Sequence, residues 1–200
     1  MIGLAYLLAF GLYILISVVV VLWAIGHARK HGKSAKRWGW GAALVMYLLV
    51  FWDWIPTIVM HQYYCATQAG FWVYKTVDQW KKENPRVIEM LVANKGAPHR
   101  HQESNDGFIN TFYLNQRFNL ISKYQGPLFL HRWIQEDELV DTKNNEVLAR
   151  YVDFSTSQKR RQAGWSGWKF WLDSENCKSV NHRDQGSMSE IILEYQGEEK

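Results

Sequence analysis

Charge is missing where a water-soluble chain would need it. Ile2 to Ile25 contains no Asp, Glu, Lys or Arg, and Trp38 to Met60 contains one, Asp53. No Lys or Arg precedes Arg29. The C-terminal part has no basic excess either. Five of the 23 bases lie in the stretch between the apolar segments, and one of the 19 acids precedes residue 61, which leaves 18 of each beyond it. That balance argues against nucleic acid as a partner, because phosphate neutralisation by a basic surface supplies most of such affinity. Also missing are a nucleophile elbow, a phosphate-cradling glycine loop, a zinc-binding HExxH helix, an internal repeat and any low-complexity tract. The chain therefore reads as non-enzymatic and without a cofactor.

What is present begins with the two apolar segments. A helix rises about 1.5 Å per residue and the hydrocarbon core is about 30 Å thick, so roughly 20 apolar residues span it. Both segments are long enough, and the polar stretch between them is short enough for a hairpin loop. A cleaved signal peptide places its bases before a shorter apolar stretch, whereas here they follow a long one, so the first segment reads as a retained span. The alternative of a buried hairpin in a soluble protein fits poorly, since Leu8 to Leu22 has no polar stripe.

Arg29, Lys30, Lys33, Lys36 and Arg37 are concentrated in the connecting loop. Cytoplasmic loops retain such bases, so residues 26–37 are expected in the cytoplasm, with both termini on the far side. In a bacterial inner membrane that side is the periplasm. Trp23 and Trp38 then suit the inner interface, and Tyr63 and Tyr64 the outer one. Cys65 and Cys177 both fall in the exported part, where an oxidising compartment favours a disulfide over two separate buried thiols.

The expected architecture is a two-helix transmembrane hairpin over residues 1–60 and a membrane-proximal stem over 61–85. An extracytoplasmic α+β domain, mainly antiparallel β, follows over 86–195, and residues 196–200 form a flexible tail. Within the exported part, Gly70–Tyr74 reads as a short strand. Thr76 to Gln79 has the form of a capping box opening a short helix that Pro85 closes. Arg86–Val92 reads as a strand and Asn94–Gly107 as a loop. Strands are expected at Phe108–Leu114, Phe118–Tyr124, Leu128–Val140 and Val147–Phe154, the last two joined by the turn Asp141 to Glu146. Gly167–Leu172 and Ile191–Tyr195 read as further strands.

Several residues invite a functional reading. Asp53 lies about 22 Å along the second segment from Trp38, where an acid is costly and marks function by default. It could contact a partner helix, bond Tyr13 or Ser17, or carry a proton; alternatively Pro56 kinks the helix and lets water in. Gly3, Ala5 and Ala9 offer a small-residue face for close helix approach. His99 and His101, with His131 and His182 elsewhere, are the nearest thing to a metal site, although solvent-exposed loop histidines would look the same. Arg160 and Arg161 followed by Trp165, Trp168 and Trp171 suit lipid headgroups or a partner groove, or else a loop leading into the core.

The function expected from these features is an accessory or interaction protein of a bacterial inner membrane, presenting a periplasmic recognition domain within an envelope assembly. Its partners would be the lipid bilayer and a membrane protein or further copies of itself. The rival readings are a membrane-tethered enzyme acting on envelope lipid or glycan, and a small transport subunit using Asp53.

Overall fold

The computed structural model describes residues 2–158, 168–174, 176–177 and 184–196. The chain divides into two compact units, 1–55 and 56–200.

The first unit is built from α1 (Ile2–Lys30) and α2 (Ala35–Phe51), which pack side by side. The seam on α1 runs through Phe10, Tyr13, Ser17, Ala24 and Ala28, spaced so that one helix face meets the partner. Gly39 permits the closest approach, because a Cβ there would meet the Ile25 side chain at 3.0 Å. Tyr13 donates its hydroxyl to the Met46 carbonyl, and the Ser17 hydroxyl bonds Tyr13 O at 2.7 Å. Beyond this seam the apolar side chains have no protein cover: Leu7 is 74% exposed and Leu49 66%.

Among the described residues, α1 alone is long and apolar enough to cross a membrane by itself, the properties shared by spans and signal sequences. The second segment departs from the expected continuous helix. It breaks after Phe51, and a separate helix, α3 (Trp54–Thr67), follows. The break lies just ahead of Pro56, whose missing N–H and ring disfavour a regular helix through that turn.

The second unit is a six-stranded antiparallel sheet in the order β1-β6-β5-β4-β3-β2. Its strands are β1 (Gly70–Val73), β2 (His99–Ser104), β3 (Gly107–Tyr113), β4 (Phe118–Gln125), β5 (Arg132–Asp141) and β6 (Glu146–Thr156). β2 to β6 form a meander, and β1 closes the far edge against β6. β1 and α4 (Val77–Glu83) come from the segment read as a stem. The capping box at the start of α4 is present, with Thr76 and Gln79 bonding each other's backbone N–H groups. α4 and α5 (Asp184–Gln196) bring Trp80 and Tyr195 onto Phe118, making a core with Leu139, Leu148 and Ala149.

Four expectations fail here. Arg86–Val92 holds a single 3-10 turn, Ile88–Met90, in place of a strand. Asn94–Gly107, expected as a loop, contains β2, because polar His99–Ser104 can pair as an edge strand whose side chains face water. Ile191–Tyr195 lies in α5, where Met188, Ile191, Ile192 and Tyr195 share one helical face toward the core. Of the expected strand Gly167–Leu172, residues 168–172 are described, and Phe170–Leu172 among them is a 3-10 turn.

Candidate functional site

Directly paired residues in a sheet share a face, so the register identifies what lies side by side. Reading across from the free edge, His101 on β2 faces Asn110 on β3, Asn110 faces Ser122 on β4, Ser122 faces Asp137 on β5, and Asp137 faces Tyr151 on β6. All five therefore lie on one face, in a polar row crossing five strands. Gln135 and Asp153, paired with each other one step along, widen it. The same face carries Phe118, Leu120 and Leu139 further along the strands, where α4 and α5 cover it.

The row is joined by hydrogen bonds. His101 Nδ1 and Asn110 Oδ1 are 2.6 Å apart. Gln135 donates its amide to Asp137 Oδ2 at 2.9 Å, and Tyr151 donates its hydroxyl to Asp153 Oδ2 at 3.0 Å. Asp153 is buried and also accepts from the Cys177 backbone N–H at 2.9 Å. Burial pushes the Asp137 carboxyl above the usual carboxylate range, against hydrogen bonds from Ser122 and Gln135 that favour the charged form; Asp153 and Glu136 nearby push the same way as burial. Beside the row, the rings of Phe108 and Tyr124 stack 4.6 Å apart. His101 is exposed and Asn110, Gln135 and Asp137 are half-buried, whereas Ser122, Tyr151, Asp153 and Phe108 are buried, so the row is largely an internal polar network whose accessible part lies toward the β2 edge.

The other face is charged and self-neutralised. Lys123 pairs with Glu138 at 2.5 Å, and Arg150 pairs with Glu136.

The expected site residues are distributed as follows. His99 and His101 do share a face of β2, with His99 against Phe112 and His101 against Phe108. Among the described residues, however, the group of three ligand-type side chains that converges is His61, Cys65 and Cys177. His61 Nε2 lies 3.4 Å from Cys65 Sγ and 3.2 Å from Phe154 O, while Nδ1 lies 3.3 Å from Ser174 Oγ. Both sulfurs are already committed to the Cys65–Cys177 disulfide, across a 5.4 Å Cα separation, so this group reads as a structural clasp. Asp53 is buried in the break between α2 and α3. Tyr13 and Ser17, considered as its partners, bond backbone carbonyls of the first unit instead. Gly3, Ala5 and Ala9 lie on the exposed side of α1, away from the α2 seam. Trp168 is exposed and Trp171 half-buried, whereas Trp165, Arg160, Arg161 and His182 lie outside the described residues.

Sequence reasoning missed Asn110, Ser122, Asp137, Tyr151 and Asp153 as a set. The one available signal was polar residues in runs otherwise aromatic and β-branched, and it becomes visible only once register aligns them. No family model, no curated protein and no solved structure matches the chain.

Proposed function

We propose that this chain is a membrane-anchored accessory protein of the bacterial envelope. In this reading α1 is one span and α2, bent by 58° into α3, completes the second, with a cytoplasmic basic loop between them, and the sheet domain is held in the periplasm as a recognition module. The observation that carries the reading is the outward surface of the first unit. Leu7, Leu8, Leu12, Leu22 and Leu49 are each more than 60% exposed. Each such side chain left in water forfeits roughly 1.5–3 kcal/mol, and a bilayer removes that cost. The Cys65–Cys177 disulfide supports an oxidising compartment for the domain. The exposed edge strand β2, with His101 at the outer end of the polar row, is the surface offered to a partner.

Purification of the tagged protein in mild detergent, with mass spectrometry of what accompanies it, tests the role. A stoichiometric membrane protein is expected; a clean homo-oligomer would count against the accessory reading.

One observation favours a second reading, a membrane-tethered enzyme acting on envelope lipid or glycan. Asp137, half-buried and held above the ordinary carboxylate range, has the property a general acid requires. Turnover of purified envelope glycan or lipid that disappears in Asp137→Asn would shift the assignment to it.

A further inference from the structure

The sheet domain carries exposed apolar side chains of its own, and they gather at one end. α3 has no Asp, Glu, Lys or Arg along its 14 residues. One of its faces serves the domain: Tyr64 packs on Phe154, His61 bonds the Phe154 carbonyl, and Cys65 enters the disulfide. The other face presents Ile58, Val59 (60% exposed) and Tyr63 (59%).

Against α3 lies the turn that precedes β5. Thr57 donates its hydroxyl to the Leu130 carbonyl at 3.5 Å, and Arg132 stacks 3.9 Å over the Tyr64 ring. In this turn Leu130 and His131 both adopt left-handed backbone conformations, at φ 55° and 59°. Neither is glycine, so the backbone of this turn is strained. The product of the strained turn is Phe129, at 79% the most exposed large apolar side chain among the described residues. A third segment joins from the end of β6. The Ser157 N–H bonds the His131 carbonyl, and the neighbouring Gln158 accepts from the Lys169 N–H. Trp168 and Phe170, 46% and 61% exposed, flank Lys169, whose ammonium lies 5.4 Å from the Trp168 ring.

We propose that the outward face of α3, the Phe129 turn and the Trp168–Phe170 turn form a rim that docks the domain into the bilayer interface. The proposal rests on the membrane-anchor reading and goes beyond it, because an anchored domain need not touch lipid. Chain continuity decides the occupant. α3 begins three positions after the last residue of α2, so in the anchor reading it starts where that helix leaves the hydrocarbon core. The interfacial layer on each side of the hydrocarbon core is about 5–8 Å deep, so a rim on this helix is within its reach. The side chains are the types that settle there: Tyr, Trp and Phe with a lysine to reach phosphate. A soluble face in their place would be polar.

The test uses the full-length oxidised protein. Among the described residues no thiol is free and the chain has only two cysteines, so one introduced cysteine is the single labelling site. Phe129→Cys, Val59→Cys, Leu12→Cys and Asn144→Cys, all at exposed positions, each take an environment-sensitive fluorophore. The labelled proteins are reconstituted into phosphatidylcholine vesicles containing lipids with nitroxides either near the headgroup or deep in the acyl chain. The expected result is strong quenching of the labels at 129 and 59 by the shallow nitroxide, of the label at 12 by the deep one, and of the label at 144 by neither. If labels at 129 and 59 behave like the one at 144 while 12 stays quenched, the rim does not dock although the anchor stands. Shielding at 129 and 59 that appears only with a co-purified protein likewise overturns the proposal, making the rim a protein interface. Loss of deep quenching at 12 overturns the anchor reading itself, and docking with it.

Discussion

Two aspartates of β5, four residues apart on the same sheet face, are held in opposite ways. Asp141 is fully buried. Burial works against its charge, but Arg117, Trp80 and the Lys143 backbone N–H donate to it and hold its carboxyl below the usual range. Its folded value being depressed, Asp141 adds stability above the unfolded carboxylate pKa of about 3.9, and that stability is lost as pH falls through the lower folded value. Removing the carboxylate in Asp141→Ala strands Arg117, which also stacks on Trp80, and should cost about 3–5 kcal/mol in urea unfolding at pH 7. Asp137 is the reverse case. Its folded value is raised, so it opposes folding at neutral pH, and stability recovers as pH falls through that value. Asp137→Asn should therefore raise the midpoint of thermal unfolding at pH 7 and flatten its dependence over the acid side of neutrality. A lowered midpoint would mean that the carboxylate is needed by the row. From sequence Asp137 reads as part of the expected strand Leu128–Val140 and Asp141 as the first residue of the turn that follows. Only their pairing partners, far away in the chain, separate a buried anchor from a poised acid.

At the scale of elements, legibility followed the range of the interactions. The capping box of α4 and the turn Asp141–Glu146 rest on contacts within a few residues, and both were readable; Asn145 supplies the left-handed position that the turn requires. β2 and α5 were misread because their states depend on neighbours. An edge strand exposed along its length needs no apolar alternation, and a helix whose apolar residues are few shows its face only against Trp80 and Phe118. The helix hairpin makes its own prediction. A Cβ on Gly39 would meet Ile25 at 3.0 Å, so Gly39→Leu should force the helices apart, read as increased spacing between spin labels on α1 and α2, while Gly41→Ala, whose Cβ meets open space, should leave the spacing unchanged.

For the whole molecule, the disulfide closes a loop spanning 112 residues and joins α3 to the segment beyond β6. In the chain-entropy model a loop of that size is worth about 4–5 kcal/mol, so Cys65→Ser with Cys177→Ser should lower the stability of the sheet domain by about that amount, measured by denaturant unfolding in detergent. Topology has a direct check as well. A membrane-impermeant thiol reagent should reach Asn144→Cys in intact cells with only the outer membrane opened, and reach Lys33→Cys only after the inner membrane is permeabilised. The reverse pattern would invert the proposed orientation. By itself, the sequence determined the division into an apolar N-terminal part and a polar β-rich part, and the pairing partners available to two cysteines. Those properties are carried by composition and by runs of neighbouring residues. The tertiary structure alone decided that Asp137 and His101 belong to one row, and that Phe129 stands out on a strained turn beside α3. Each depends on residues brought together from distant parts of the chain, and strand register, which aligns them, is a property of the assembled sheet.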